Sequence, residues 1–253
     1  MQASERRARI LAALAERGRV DVEQLALEFE TSEITVRRDL ERLAEEGALR
    51  RVRGGAVSSN LRGEGIPFSA RLEQGDHTLK QRLATAVATL ISDGEAVIVD
   101  SGTTGTATAH ALASRRVTVL PMSVQGIAAL AGSTTVSLLT PAGSVRPSEG
   151  SIVGPLIDQT LRELRFDTAV LTCCGADPRT GVSAYDITDA AAKKAIVGAA
   201  RRTILFAESS KFARSAMATV CTFDAVDIVV TDAGLPDEVR AALTEADVTV
   251  VIA

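Results

Sequence analysis

The chain has 253 residues, enough for one large domain or two unequal ones. Its formal net charge is -4, so any binding to nucleic acid has to come from a local basic patch. Only 3% of the residues are aromatic, and a core of Ala, Val, Leu and Ile suits helices packed on a parallel sheet. The three cysteines form no spaced metal set and no disulfide framework. With neither a signal peptide nor a run of about 18 apolar residues, we expect a cytoplasmic protein that does not enter membranes.

Residues 1–57 predict a small separate domain of three short helices. Apolar residues recur at helical spacing in residues 6–16 and again in residues 20–29, with a break at Gly18. Ser32 is a good N-cap for a third helix, which we expect to end at Gly47. Three short helices joined by tight turns are typical of the helix-turn-helix proteins that bind DNA.

The third predicted helix has one apolar and one polar face. At about 100° per residue, Val36, Leu40 and Leu43 fall in one narrow sector and are expected to be buried. Arg38 lies nearly opposite them. Arginine can form two hydrogen bonds with guanine, and a Thr or Ile methyl can touch the thymine methyl, so this face suits the major groove. The outer arc also holds Ile34, Thr35, Glu41 and Arg42, with Arg37 and Asp39 on its flanks.

A short hairpin is predicted directly after this helix, in residues 49–57. Val52 and Val57 can pack inward around the Gly54-Gly55 turn, while Arg50, Arg51 and Arg53 point to solvent. Such a wing would lie along phosphates and add affinity without sequence preference. Residues 1–57 hold 11 basic and 11 acidic residues, so the pattern alone also allows a three-helix domain that never touches DNA.

The string Ser32-Glu-Ile-Thr-Val-Arg-Arg-Asp-Leu40, followed by Leu43, Gly47, Leu49 and a Gly-Gly wing, resembles the recognition helix of the DeoR family of bacterial repressors. Further likenesses follow in the family's order: Arg71, Lys80, residues 100–104 and residues 208–212. The resemblance implies a winged helix-turn-helix that binds double-stranded operator DNA. The candidate DNA-binding residues are Ser32, Thr35, Arg37, Arg38, Arg42, Arg51 and Arg53.

Residues 68–253 predict a larger α/β domain, joined to the first by a linker at residues 58–67. Strand-like and helix-like segments alternate there, which implies a mostly parallel sheet covered on both faces. The predicted strands are residues 96–99, 117–120, 136–139, 169–171, 203–206, 228–230 and 248–252. The predicted helices are residues 79–91, 106–112, 125–130, 155–164, 189–200 and 237–245.

Three loops of this domain follow predicted strands, where parallel sheets bind ligands. Residues 100–105 combine glycines and hydroxyls ahead of a helix and could hold a phosphate, although an ordinary capped turn would look the same. Residues 173–176 hold two cysteines, which we expect to be buried and inert without Cys-x-x-Cys spacing. Residues 208–211 end in Lys211, which could pair with a phosphate.

The DeoR resemblance extends to this domain, which is similar to ribose-5-phosphate isomerase, glucosamine-6-phosphate deaminase and the CoA transferases. It implies that residues 101–104 and Lys211 hold a phosphate, and that Asp100, Asp189 and Lys193 line a sugar site. The chain departs from many relatives in having Pro121-Met122-Ser123 for Thr-Asn-Ser, Ala142-Gly143 for Gly-Gly and Glu208 for Asp. The candidate effector-binding residues are Asp100, Ser101, Gly102, Thr103, Thr104, Ser123, Gly175, Asp189, Lys193 and Lys211.

Two classes of function remain open from the sequence, besides a less favoured helical adaptor. The first is a transcription regulator, a repressor by family expectation, that leaves its operator when it binds a phosphorylated sugar. It would act as a homo-oligomer, a dimer or a tetramer, with no cofactor, metal or catalytic residues. The alternative is a sugar-phosphate isomerase or deaminase that carries a DNA-binding segment. The chain's two histidines, His77 and His110, are expected to be structural or exposed, which disfavours the enzyme.

Overall fold

A computed structural model describes residues 3–17, 19–45, 48–58, 68–74, 76–147, 149–212 and 214–253. The chain divides into two compact units, residues 1–74 and 75–253. The predicted linker falls almost wholly at residues 59–67, which lie outside the described residues, as do Gly18 and Gly47. The limits of the predicted domains therefore stay a prediction.

The N-terminal unit contains the predicted three helices and the wing. In chain order its elements are α1 (Ala3–Arg17), β1 (Arg19–Asp21), α2 (Val22–Glu28), α3 (Glu33–Glu45), β2 (Leu49–Val52), β3 (Gly55–Ser58) and α4 (Phe68–Gln74). The strands form an antiparallel sheet in the order β1-β3-β2. The sequence did not predict β1, because its residues, Arg-Val-Asp, include no run of Val, Ile or Leu.

Two glycines make this small sheet possible. Gly54 has φ +81° and turns the chain between β2 and β3. A Cβ on Gly55 would lie 2.0 Å from the carbonyl oxygen of Val20, so only glycine lets β3 lie this close to β1. Beneath the sheet, apolar side chains of the three helices form one buried cluster that includes Ile10, Leu25 and Leu40.

The C-terminal unit is the expected α/β domain. Its helices are α5 (His77–Thr89), α6 (Gly102–Leu112), α7 (Val124–Leu130), α8 (Pro155–Glu163), α9 (Ile187–Ala199) and α10 (Asp237–Glu245). Its strands are β4 (Ala96–Val99), β5 (Thr118–Pro121), β6 (Ser137–Leu138), β7 (Ser144–Val145), β8 (Ile152–Val153), β9 (Phe166–Leu171), β10 (Gly175–Asp177), β11 (Gly181–Ala184), β12 (Ala200–Phe206), β13 (Ala218–Cys221), β14 (Ile228–Thr231) and β15 (Thr249–Ile252).

The seven predicted strands form one parallel sheet in the order β15-β14-β12-β9-β4-β5-β6. Helices cover it through separate buried clusters, one including α5 and α6 and another including α8 and α9. This confirms the predicted α/β fold. The carboxyl ends of β5, β4, β9 and β12 are neighbours at one edge, and the loops that follow them carry most of the candidate effector residues.

The structure also differs from the predicted elements. An antiparallel sheet, β10-β11-β13, and a short hairpin, β7-β8, were not predicted, because their Gly-, Ser- and Ala-containing segments lack the Val/Ile/Leu runs of the parallel strands. Helix α6 begins at Gly102, four residues before the predicted start, so residues 102–105 are its first turn and not a loop. Nowhere in the described residues is there a helix with the length and apolar character needed to span a bilayer.

Candidate functional site

The outward face of α3 is polar, and its inward face is buried as the sequence predicts. Val36, Leu40 and Leu43 are at most 3% exposed. Asp39, which was expected on a flank, is instead buried. The Nε of Arg6 on α1 lies 2.5 Å from its carboxylate and so pairs the buried charge. This buried ion pair ties α1 to the helix that carries the candidate DNA-binding residues.

Four arginines of α3 and the wing form two groups: two are bound by glutamates and two are not. Arg37 binds Glu33 at 2.8 Å, one turn away on the same helix, and Arg51 of β2 binds Glu41 of α3 at 2.6 Å. Arg38 and Arg53 are exposed, and neither has a hydrogen bond or ion pair with any residue that the structure describes. Of the described arginine side chains of α3 and the wing, the two without a hydrogen bond or ion pair are Arg38 on α3 and Arg53 at the tip of the wing.

Ser32 and Thr35 are engaged with each other at the start of α3. The Ser32 hydroxyl accepts a hydrogen bond from the N–H of Thr35 at 3.2 Å, as expected of an N-cap, and the two hydroxyls are 2.9 Å apart. Arg42 is exposed near the end of α3. The side chain of Arg50, expected in solvent, lies outside the described residues.

At the sheet edge of the C-terminal unit, Asp100 is the centre of a buried polar cluster. It follows β4, is 2% exposed, and accepts hydrogen bonds from four groups. These are the N–H of Ser101 at 2.7 Å, the N–H and hydroxyl of Thr172 at 2.9 and 2.7 Å, and the ammonium of Lys193. Thr172 follows β9, and its hydroxyl also donates to the carbonyl of Ser101 at 3.1 Å, so loops from adjacent strands are joined.

Lys193 and Asp189 extend this cluster onto α9. They are four residues apart on one helix face, as predicted, and the ammonium lies 3.7 Å from the Asp189 carboxylate. Burial disfavours the charged form of Lys193, but the carboxylates of Asp100 and Asp189 outweigh it and raise the pKa of the ammonium. Burial is also the main reason that the pKa of Asp189 is raised. Asp100 and Lys193 neutralise one another inside the protein.

The first turn of α6 has no side-chain cap, as is also true of α8 and α10, whereas three other helices of the unit are capped. Helices α5, α7 and α9 each begin with a side chain, from Asp76, Ser123 and Asp186, that accepts a hydrogen bond from a first-turn N–H. Ser101, the N-cap of α6, forms no such bond. The N–H groups of this turn thus lack a side-chain acceptor in the part of the chain that the structure describes. Helix N-termini with such groups are typical anion-binding sites.

Two glycines shape that turn. Gly102 has φ +94°, a backbone conformation that side chains rarely adopt. A Cβ on Gly105 would lie 1.8 Å from the carbonyl oxygen of Asp100, so glycine is required where α6 starts against the end of β4. Thr103 and Thr104 lie between these glycines and are at most 8% exposed.

Lys211 lies on a short 3₁₀ turn after β12, and its ammonium donates to the carbonyl of Cys173 at 3.0 Å. Cys173 is adjacent to Thr172, so this bond connects the Lys211 loop to the Asp100 cluster. Burial raises the pKa of the Cys173 thiol to about 11, which keeps it protonated and unreactive at neutral pH. Glu208, at the start of the same loop, lies 3.6 Å from the ammonium of Lys80 on α5.

Ser123 and Gly175 have structural roles near the carboxyl ends of the parallel strands. The buried hydroxyl of Ser123 accepts from the N–H of Gly126 at 3.1 Å and so caps α7. A Cβ on Gly175 would lie 2.5 Å from the carbonyl oxygen of Arg214, so a larger residue would not fit. Met122 is 2% exposed in an apolar cluster. It therefore offers no hydrogen-bonding group to this loop.

Sequence reasoning missed two groups at this edge. Thr172 joins the loops of β4 and β9, and its only sequence signal is its place directly after a buried strand. Asp186 caps α9 through the N–H groups of Thr188 and Asp189, and it lies 3.5 Å from Arg146. An aspartate before a helical segment could have indicated the cap, but Arg146 is brought near only by tertiary folding. Among the described residues, no group of three or more His, Cys, Asp or Glu side chains could hold a metal.

Two protein-family models match the chain. The model described as DeoR-like helix-turn-helix domain matches residues 6–61, and the model described as DeoR C terminal sensor domain matches residues 76–233. An uncharacterized HTH-type transcriptional regulator of Bacillus subtilis is 31% identical over 95% of this chain and 93% of its own length. The glycerol-3-phosphate regulon repressor of Escherichia coli is 30% identical over 97% of both chains. Among solved structures, ribose 5-phosphate isomerase A of Methanocaldococcus jannaschii has a TM-score of 0.40 and 16% identity, over 53% of this chain and 54% of its own.

Proposed function

We propose a specific mode of action for this chain, which belongs to the DeoR family of transcription regulators. The protein represses an operon of sugar metabolism by binding double-stranded operator DNA through α3 and the wing. A phosphorylated sugar binds at the sheet edge of the sensor unit and lowers the affinity for DNA. The observation that carries this proposal is the pair of exposed arginines, Arg38 and Arg53, that no described residue neutralises.

On the DNA side, the two arginines have different roles. Arg38 lies on the outward face of α3, where a guanidinium can form two hydrogen bonds with a guanine in the major groove. Arg53 is at the turn of the wing, where it binds a phosphate and adds affinity without sequence preference. Arg37, Arg42 and Arg51 contact the phosphate backbone more weakly, and Ser32 and Thr35 fix the start of α3 against the DNA.

On the effector side, the first turn of α6 and Lys211 hold the phosphate. The N–H groups of residues 102–104, the hydroxyls of Ser101, Thr103 and Thr104, and the Lys211 ammonium are the donors. Because Lys193 neutralises Asp100, the carboxylate just before this turn does not repel an incoming anion. Asp189, Ser123 and Gly175 line the rest of the sugar site. A relative named for a glycerol-3-phosphate regulon supports a phosphorylated ligand class.

The same cluster favours binding over turnover. A general base in a sugar-phosphate isomerase needs a carboxylate that can reach the substrate's proton. Asp100 instead accepts hydrogen bonds from Ser101, Thr172 and Lys193 and is 2% exposed. His77 and His110 are exposed. We infer that the enzyme alternative fails, and the absence of turnover of ribose-, fructose- and glucosamine-phosphates would support this.

A homo-oligomer completes the proposal. One reading helix with one wing covers too little DNA for typical specific affinity, so two copies act on a repeated or palindromic site. The sensor unit is the proposed oligomerisation unit, and the protein acts in the cytoplasm, where the operator is. A strict monomer in light scattering at micromolar concentration, with full operator affinity, would contradict this part.

The DNA-binding proposal is tested with operator duplexes selected by the full chain from a random library. Arg38→Ala should weaken operator binding by about 1–3 kcal/mol while leaving the fold intact, because Arg38 has no hydrogen bond or ion pair with a described residue. Arg19→Ala is the matched control: it removes an exposed arginine of the same unit that is not among the candidate DNA-binding residues and is already held by Asp21. Equal affinity of the parent and Arg38→Ala would contradict the assignment of α3.

The effector proposal is tested by thermal-shift measurements with a panel of phosphorylated and unphosphorylated sugars. A ligand that binds only the folded state raises the apparent stability by mass action. We expect a shift for a phosphorylated sugar with the parent and with Lys194→Ala, whose lysine is exposed on α9. Lys211→Ala should lose it. A shift of equal size in Lys211→Ala would remove Lys211 from the site.

A further inference from the structure

The outward face of α3 presents one large apolar side chain beside one unneutralised cation. Ile34 is 70% exposed although it lies on a helix with a well-formed apolar face. Arg38 is exposed four residues later. Residues four apart on a helix project from the same side, one turn apart, so these two groups face solvent together.

The polar side chains around them are occupied. The hydroxyl of Thr35 lies 2.9 Å from that of Ser32, and the guanidinium of Arg37 is bound by Glu33. Glu41 lies on the same face in helical projection, and its carboxylate is bound by Arg51 of the wing at 2.6 Å. Of the described side chains on this face, Ile34 and Arg38 are therefore the ones left for a partner.

We propose that Ile34 packs on the C5-methyl of a thymine while Arg38 binds the O6 and N7 atoms of a guanine close by. The thymine methyl is the apolar group that base edges present in the major groove, so it is the natural contact for an exposed branched side chain. Four helical residues rise by about 6 Å, the length of roughly two base-pair steps. Each operator half-site should thus carry a thymine and a guanine within about two base pairs of each other.

This inference rests on the proposed DNA-binding function and adds the chemistry of the bases that are read. It also separates two exposed apolar residues of the same unit. Leu27 is 75% exposed at the end of α2, outside the α3 face, and has no role in the proposed base contacts. Leu27→Ala is therefore the matched control for Ile34→Ala.

The test uses the full chain and its selected operator. Each thymine is replaced singly by deoxyuridine, which lacks only the C5-methyl. At one thymine per half-site, the parent and Leu27→Ala should bind about fourfold more weakly, the factor expected for loss of one buried methyl. Ile34→Ala should bind the thymine and deoxyuridine duplexes equally, and Ile34→Val should keep part of the difference.

A second arm uses 7-deazaguanine, which lacks the N7 acceptor. One guanine within about two base pairs of the sensitive thymine should respond in the parent and in Leu27→Ala but not in Arg38→Ala. Removing the guanidinium itself should cost roughly 5- to 150-fold.

The outcomes separate the inference from the function beneath it. If deoxyuridine weakens Ile34→Ala as much as the parent, or if no thymine methyl matters to the parent, the inference is wrong while DNA binding stands. If the chain selects no sequence from the library, the proposed function fails and this inference falls with it. Loss of the methyl response in Ile34→Ala but not in Leu27→Ala supports the inference.

Discussion

The two units of this protein carry their charged groups in opposite ways. On α3 and the wing, Arg38 and Arg53 are exposed and unneutralised by described residues, ready for a ligand of opposite charge. At the sheet edge of the sensor unit, Asp100 and Lys193 are each 2% exposed and bind one another. The exposed arginines of the first unit suit binding to a polyanion that approaches from solvent. The second pairs opposite charges inside the protein, next to the turn of α6 that we propose as part of the phosphate site.

The two surfaces should tolerate substitution differently. Exposed arginines can be removed with little effect on folding, and their loss appears in binding. Members of a buried ion pair cannot be removed singly without leaving a charge in a low-dielectric environment. Substitutions in the first unit should change DNA affinity, whereas substitutions in the second should change stability first.

The largest effect is expected from breaking the buried pair. Lys193→Met leaves Asp100 without its cation and should lower the free energy of unfolding by about 3–5 kcal/mol. Lys194→Met, which removes the exposed lysine next to it, should cost little. The double variant Asp100→Asn with Lys193→Met should recover part of the loss. Urea unfolding of the full chain measures this, and equal midpoints for both lysine variants would show that the pair is not a stabilising element.

A second large effect concerns the turn of α6. Gly105→Ala places a methyl within 1.8 Å of the Asp100 carbonyl oxygen and should destabilise the protein by about 1–3 kcal/mol or more. Gly198→Ala is the matched control, because nothing lies within 4 Å of the position that its new methyl would take near the end of α9. It should stabilise by about 0.5–1 kcal/mol. Thermal unfolding separates the two, and a loss of stability in both variants would refute the geometric explanation.

The wing gives a smaller, salt-dependent effect. Arg53→Ala should reduce the slope of log affinity against log salt by about 0.9, the value for one phosphate contact, on operator and unrelated duplexes alike. Arg51→Ala should change the slope less, because Glu41 already binds that guanidinium at 2.6 Å. Filter binding or fluorescence anisotropy from low to moderate salt is sufficient. Indistinguishable slopes for the two variants would contradict the distinction between paired and unpaired arginines.

The smallest effect is at the cap of α9. Burial opposes ionisation of Asp186, but hydrogen bonds from Thr188 and the N–H of Asp189, together with Arg146, outweigh it and lower the pKa of Asp186. A lowered pKa contributes stability that is present above the unfolded value near 3.9 and is lost as pH falls through the folded value.

Asp186→Ala should cost about 1 kcal/mol at neutral pH, because the cap is lost. Asp186→Asn keeps an acceptor and should cost less at neutral pH. As the pH falls below about 4, the free energy of unfolding of Asp186→Asn should also decrease less than that of the parent. Urea midpoints measured from pH 7 down to about 3 check this. An acid response of Asp186→Asn identical to that of the parent would mean that this carboxylate does not contribute.

Much of the fold can be predicted from the sequence, because the spacing of apolar residues indicates which side of each helix or strand is buried. The alternation of short Val/Ile/Leu segments with helical patterns locates all seven strands of the parallel sheet, and the buried face of α3 follows from Val36, Leu40 and Leu43. Strands β1 and β10 escape because their residues, Arg-Val-Asp and Gly-Ala-Asp, include no run of Val, Ile or Leu. The early start of α6 escapes because the residues Gly-Thr-Thr-Gly favour a loop by propensity, and packing of Gly105 against Asp100 overrides it.

The site is less predictable than the fold, because pairing is tertiary. The sequence indicates that arginines point outward from α3 and the wing, but not that Glu33 binds Arg37 and Glu41 binds Arg51. It places Asp189 and Lys193 on one helix face, but the hydrogen bonds of Lys193 to Asp100 and Thr172 span 93 and 21 residues of sequence. The burial of Asp39 is likewise set by Arg6, which lies 33 residues earlier.

The most direct test of the account is a titration of operator binding with phosphorylated sugars, in the full-length parent and in Lys211→Ala, with Lys194→Ala as control. We expect one such sugar to weaken operator binding by roughly 5- to 150-fold in the parent and in the control, and operator DNA to weaken sugar binding by the same factor. Lys211→Ala should bind the operator normally and not respond. An identical response of Lys211→Ala, or no response of the parent to any phosphorylated sugar, would contradict it.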